Sequence, residues 1–273
     1  LSENAGSAIS FMSSTPLKHD SLPDWLASPA GQYLCAWEQT YFDRAVADVF
    51  GFHAVQLGFP ALDGLQANRM PHRWLASDVH PEPWPLGREV FLTNYEALPF
   101  ADASLDLLVL PHTLELSYDP HATLREVARV LVPEGRVVIC GFNPNSLWGL
   151  SKSCKRGFSQ VGDFIGQRRL RDWLRLLSFE VESTSFGCYR PAAKTERWLQ
   201  RWDWLDEAGV RWWPILGAVY GVVAVKRVPG MRLMSPAWKK AVPRAAAVVT
   251  TASHTAVNEV IHRVASTASK GTE

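Results

Sequence analysis

Two apolar runs joined through a helix constrain this chain more than any other feature. Leu105, Leu107, Leu108, Val109 and Leu110 form one run, closed by Pro111 and preceded by the turn-forming Ala101-Asp102-Ala103-Ser104. The second is Val137-Val138-Ile139-Cys140, entered from the turn Pro133-Glu134-Gly135 and Arg136. Runs that are apolar on both faces suit strands buried on both sides. Between them Asp119 is placed to cap a helix that begins at Pro120 and runs to about 132. Leu124, Val127, Val130 and Leu131 share one side of it, with Arg125, Glu126 and Arg129 on others. Two buried strands linked by a helix predict a parallel sheet. In such sheets ligands bind beyond the carboxyl ends of the strands. Here those ends are Asn94 to Glu96, Pro111 to Glu115 and Gly141 to Asn143.

The segments EALPFADASLDLLVLPHTLE and DPHATLREVARVLVPEGRVVI resemble the middle of class I S-adenosylmethionine-dependent methyltransferases, specifically the methyltransferase type 11 branch. The likeness covers about 55 contiguous residues in order and spacing. It implies an α/β, Rossmann-like sheet of seven strands, mostly parallel with an antiparallel last strand, and helices on both faces. It also implies S-adenosyl-L-methionine as cofactor and methyl transfer to a small-molecule or carrier-bound acceptor. Carried over position by position, the cofactor-binding residues are Gln56 and Gly58 in the first loop, Asp78 for the ribose hydroxyls, and Asn94 with Tyr95 for the adenine edge. Pro111 and His112 follow the next strand. His112 is the candidate for orienting or deprotonating an acceptor, because imidazole titrates near neutrality. Each residue also has a plainer reading: Asp78 opens a proline-rich loop, Asn94 is a strand-end turn residue, and His112 is structural.

The first strand, His53 to Phe59, departs from the family at its exit. An acidic residue followed by Gly-x-Gly-x-Gly is expected there, since bare backbone must approach the cofactor closely. This chain has Gln56, one glycine at Gly58, and then Phe59-Pro60-Ala61, with Pro60 lacking an amide hydrogen. Two outcomes stand open: a modified mode of binding, or a non-catalytic protein that keeps the fold for binding or regulation. A nicotinamide-dependent dehydrogenase is disfavoured, because no Gly-x-Gly-x-x-Gly follows that strand.

Elsewhere the pattern predicts a helix over about 29 to 50, a crossover helix from Leu62 to Met70, and strands at 72–79 and 89–93. A long loop after Cys140 offers Asn143, Asn145 and Trp148 as acceptor contacts. Residues 152–175 carry seven Lys or Arg against two Asp, which suits either an acidic carrier protein, RNA, or a solvated helix face. A helix over 168–177, a strand at 179–186, a Trp-rich helix over 192–208 and a last strand at 217–228 complete the sheet. The tryptophans at 198, 202, 204, 212 and 213 read as packing, with a lipophilic acceptor pocket as the alternative. The expected organisation is a disordered 1–22, a domain over 23–228 and a flexible tail over 229–273. Met12 is a candidate start residue.

At 273 residues and 47% apolar the chain is long enough to bury its own core, and its net charge of +1 gives no global case for nucleic acid. Its four cysteines and eight histidines show no metal-ligand spacing, so no metal is expected. No run reaches the ~18 apolar residues of a membrane span, and a cytoplasmic location is the expectation.

Overall fold

The computed structural model describes residues 25–81, 87–150, 164–192 and 195–228. Its strands are β1 (His53–Leu57), β2 (His72–Ser77), β3 (Glu89–Leu92), β4 (Leu105–Pro111), β5 (Leu131–Phe142), β6 (Phe179–Gly187) and β7 (Val219–Lys226). They form one seven-stranded sheet in the order β3-β2-β1-β4-β5-β7-β6. Strands β1 to β5 pair parallel, and β7 runs antiparallel to both β5 and β6. The expected sheet is therefore present, and its carboxyl rim gathers the ends of β1, β2, β3, β4 and β5.

Alternation along the strands splits the core between the two faces. On one face Ala54, Leu107, Val109, Val138 and Cys140 pack beneath helix α1 (Pro29–Val46). On the other, Val55, Leu108, Leu110, Val137 and Ile139 meet the apolar stripes of α3 (Pro120–Val130) and α5 (Gln167–Leu176). Short helices α2 (Thr113–Leu116) and α4 (Leu147–Leu150) follow β4 and β5 at the rim. Two side chains cap their helices, Asp119 as expected and Ser28 at the start of α1. The Ser28 hydroxyl accepts from Gly31 N at 3.2 Å, and the Asp119 carboxylate accepts from His121 N and Ala122 N.

Three elements differ from expectation. The Leu62–Met70 segment forms turns, because side chains take the backbone groups a helix would use. Leu62 O accepts from Gln56 and Arg88, Leu65 O and Asn68 O accept from Arg73, and Gly64 N donates to Gln56. The Trp-rich helix is two short ones, α6 (Glu196–Arg201) and α7 (Trp204–Trp212), followed by a 3₁₀ turn at Pro214–Leu216. Helix α1 stops at Val46, not at residue 50. No helix among the described residues is long and apolar enough to cross a membrane. Residues 1–24 and 229–273, where the sequence predicts a disordered segment and a flexible tail, lie outside the described residues.

Candidate active site

The loop leaving β1 is built around one side chain. Gln56 Nε2 donates to Gly58 O at 3.0 Å, Phe59 O at 3.1 Å and Leu62 O at 2.9 Å. Its Oε1 accepts from Gly64 N at 2.9 Å and from Arg88 Nη2 at 2.8 Å. Only an amide both donates and accepts in this way, so glutamine holds the loop from inside and its polar atoms face the loop instead of a ligand. Gly58 and Phe59 both adopt positive φ, at 70° and 51°. Glycine tolerates this freely, whereas for Phe59 it is an outlier. The Phe59 ring turns into the core beneath α1, 5.4 Å from the His112 ring. Neither Phe59 nor its exposed neighbour Pro60 covers the rim.

A different side chain covers it. Tyr95, 5% exposed, lies between Gly58 and the end of β2. Its hydroxyl donates to Asp78 Oδ1 at 2.9 Å and accepts from Asp78 N at 3.2 Å. A Cβ on Gly58 would stand 2.8 Å from the same phenol oxygen. Burial, and then the Asp78 carboxylate, push the phenol well above the usual tyrosine range, so it stays protonated and keeps its role as donor. Thr113 closes the third side, its hydroxyl donating to Leu57 O. Asn94 stays exposed, with Oδ1 accepting from Glu96 N at 2.9 Å in a tight turn that pairs Asn94 with Ala97. Pro111 is the buried last residue of β4 and pairs with Cys140 of β5.

His112 is fully buried and held between two carboxylates. Nε2 lies 2.5 Å from Glu38 Oε1 of α1, and Nδ1 lies 2.8 Å from Glu115 Oε2. Phe142 stacks on its ring at 4.2 Å. Its own φ of 53° turns the imidazole back under α1. Burial by itself would lower the imidazole pKa, but Glu38 and Glu115 override it and hold the group at about 10. Burial also raises Glu115, against the pull of His112 and of Phe142 N, which donates to its Oε1 at 2.7 Å. Glu38 Oε2 is buried with no hydrogen-bond partner among the described residues. With both nitrogens turned to carboxylates, His112 presents neither to an acceptor; it ties α1 to the rim.

The other candidates separate. Asn143 is buried, its amide donating to Ile215 O at 2.7 Å and Gly217 O at 2.9 Å, which staples the end of β5 to the entry of β7. Trp148 is buried under α1, donating from Nε1 to Arg190 O at 2.6 Å, with its rings against Trp25 and Tyr33. Asn145 alone of the three is exposed. Lys152, Lys155 and Arg156 of the basic stretch lie outside the described residues. Arg168, Arg169 and Arg175 are exposed on α5. Among the described residues no group of three or more His, Cys, Asp or Glu is placed to hold a metal.

Glu38 is the residue that sequence reasoning passed over. The signal was present: Leu34, Glu38, Phe42 and Val46 recur every fourth residue, so a carboxylate sits within the buried stripe of α1. A charge there demands a buried partner.

This sheet order, with its antiparallel seventh strand and a rim carrying a glycine turn after β1 and a carboxylate after β2, is that of a class I methyltransferase fold. Residues 68–139 match a family described as "Methyltransferase domain". It is 40% identical over 151 residues to the protein YafS of Escherichia coli, spanning 54% of this chain and 59% of YafS. It is 34% identical over 91 residues to malonyl-[acyl-carrier protein] O-methyltransferase 1 of Coxiella burnetii, covering 33% of this chain and 32% of that protein. The chain thus spans about three-fifths of one of these relatives and a third of the other. Among solved structures, a putative methyltransferase in complex with the Haloferax volcanii Trm112 activator superposes with a TM-score of 0.56 at 20% identity, covering 77% of this chain and 98% of that one. A methyltransferase from Thermotoga maritima superposes with a TM-score of 0.54 at 16% identity, covering 75% and 94%. These are likenesses of fold.

The donor set suits the cofactor's chemistry: a carboxylate at the end of β2 to accept from ribose hydroxyls, and a glycine at positive φ to admit close approach. The space does not suit it with Tyr95 where it stands, since the phenol fills the gap between these two groups.

Proposed function

We propose that this protein transfers a methyl group from S-adenosylmethionine to a small-molecule or carrier-bound acceptor. One observation carries the reading: Asp78 Oδ1 accepts a hydroxyl hydrogen at 2.9 Å directly across from Gly58, which is the bond a ribose hydroxyl would ask of it. The sulfonium of the cofactor supplies the methyl group and its own leaving group, so the protein's part is alignment and exclusion of water. The engagement of both His112 nitrogens by carboxylates favours an acceptor that needs no base, and a carboxylate is such an acceptor. The name of the Coxiella burnetii relative, a malonyl-[acyl-carrier protein] O-methyltransferase, supports the same class of acceptor.

The test is incubation of the full chain with methyl-labelled S-adenosylmethionine and malonyl-carrier protein, free malonate or other short dicarboxylates. Label in an acceptor together with S-adenosylhomocysteine is the expected result. Absence of both across the panel overturns the reading. A second reading, a non-catalytic protein of this fold, is favoured by the Tyr95 phenol lying in the gap. It predicts no heat on titration with either S-adenosylmethionine or S-adenosylhomocysteine.

A further inference from the structure

We propose that Tyr95 is a latch on the cofactor hollow: its phenol holds the place of the ribose, and the cofactor binds only when that ring swings out. The inference rests on the reading of this rim as a cofactor site.

Three observations carry it. First, the phenol uses both of its hydrogen-bonding capacities on Asp78, donating to Oδ1 and accepting from N, so one side chain satisfies the β2 terminus as a bound hydroxyl ligand would. Second, the hydroxyl sits against Gly58, where a side chain at that position would collide with it. The volume left by the missing Cβ is therefore filled by the protein itself. Third, Tyr95 rides on a short turn at the edge of the sheet, tied to the helix at Pro120 through the Glu96 side chain, whose Oε1 accepts from Asp119 N at 3.0 Å. Thr93 N is held by Ser77 O at 2.8 Å and Leu98 N by Glu126 Oε2 at 3.1 Å. Between these anchors the chain makes one turn, from Asn94 to Ala97, at whose ends both residues are exposed. This turn follows β3, the edge strand, which among the described residues pairs only with β2. A rotation confined to that turn removes the ring without disturbing the central strands.

A ligand that binds only the open form has its apparent affinity reduced by the fraction of molecules that are open. The latch therefore makes the native protein a weak binder and the unlatched protein a strong one. Tyr95→Phe keeps the ring but loses both bonds to Asp78. Tyr95→Ala removes the ring as well.

The experiment is isothermal titration of the full-length protein and both variants with S-adenosylhomocysteine, with thermal melting of each to confirm folding. Affinity is expected to rise from native to Tyr95→Phe to Tyr95→Ala, the last at least about tenfold tighter than the native chain. Adding Asp78→Asn to Tyr95→Ala is expected to return most of that gain. Equal affinity in the native chain and both variants overturns the latch while leaving the cofactor reading intact, as does weaker binding by either variant. No binding by any of the proteins overturns the latch and the cofactor reading together. If Tyr95→Ala does not fold, Tyr95→Phe decides alone by the same comparison.

Discussion

Gln56 shows how one side chain sets the shape of a site without touching a ligand. Three carbonyls converge on its Nε2, while Oε1 takes an amide and a guanidinium. Glutamate is isosteric but has no hydrogen to donate. Gln56→Glu and Gln56→Ala are both expected to lower stability by about 2–3 kcal/mol, because the buried carbonyls of Gly58 and Phe59 lose the Nε2 donor while Leu62 O keeps only Arg88. Urea unfolding of each variant checks this. His112 gives a pH signature. Its folded pKa of about 10 lies above its ordinary 6.5, so the folded chain binds this proton more tightly than the unfolded chain. The resulting stabilisation is complete below pH 6.5 and is lost as pH rises through 10. Glu115, raised by burial, acts in the same direction. Urea midpoints of the native chain are expected to fall between pH 7 and 10 by the equivalent of a few kcal/mol, and those of Glu38→Gln to fall less. A flat native profile would show that the buried charges do not govern this window. Asn94, Asn143 and His112 were legible as rim residues from their places after strands. The long-range hydrogen bonds of Asn143 and His112 were not, because their partners Ile215 and Glu38 lie 72 and 74 residues away.

At the scale of elements, α1 is seated by matched large and absent side chains. Trp37 and Tyr41 stack on each other at 5.5 Å, nearly parallel, and lie on Gly187 of β6 and Gly221 of β7. Any Cβ at those positions would enter a ring. Gly221→Ala is expected to cost about 1–3 kcal/mol by pushing Tyr41 off the sheet. The loss should appear in thermal melting and be partly restored by Tyr41→Leu. The amphipathic pattern foretold this helix, but not that glycines on the last two strands form its seat. The missing crossover helix teaches the complementary lesson. Propensity over 62–70 was adequate, yet Gln56, Arg73 and Arg88 bind the carbonyls first, and all three lie outside the segment. Local patterns report what a segment prefers when no distant side chain competes for its backbone.

Over the whole molecule, the sheet was readable because its central strands are continuous apolar runs, and burial on both faces leaves few other fates for such runs. The tryptophans were less readable, because composition does not say which side of a short helix meets the core. Trp148 is 2% exposed and bonded through its indole nitrogen, whereas Trp212 and Trp213 are 69% and 54% exposed. Trp198 and Trp204 also face outward, so most of the cluster expected to pack is on the surface. The contrast makes one residue type its own control. Trp148→Ser removes a large buried ring from beneath α1 and is expected to cost about 3–5 kcal/mol. Trp212→Ser and Trp213→Ser leave no cavity and are expected to stay within about 0.5 kcal/mol of the native chain. Urea unfolding of the three variants side by side decides it. A loss at Trp212 or Trp213 as large as that at Trp148 would mean that this face is covered in solution.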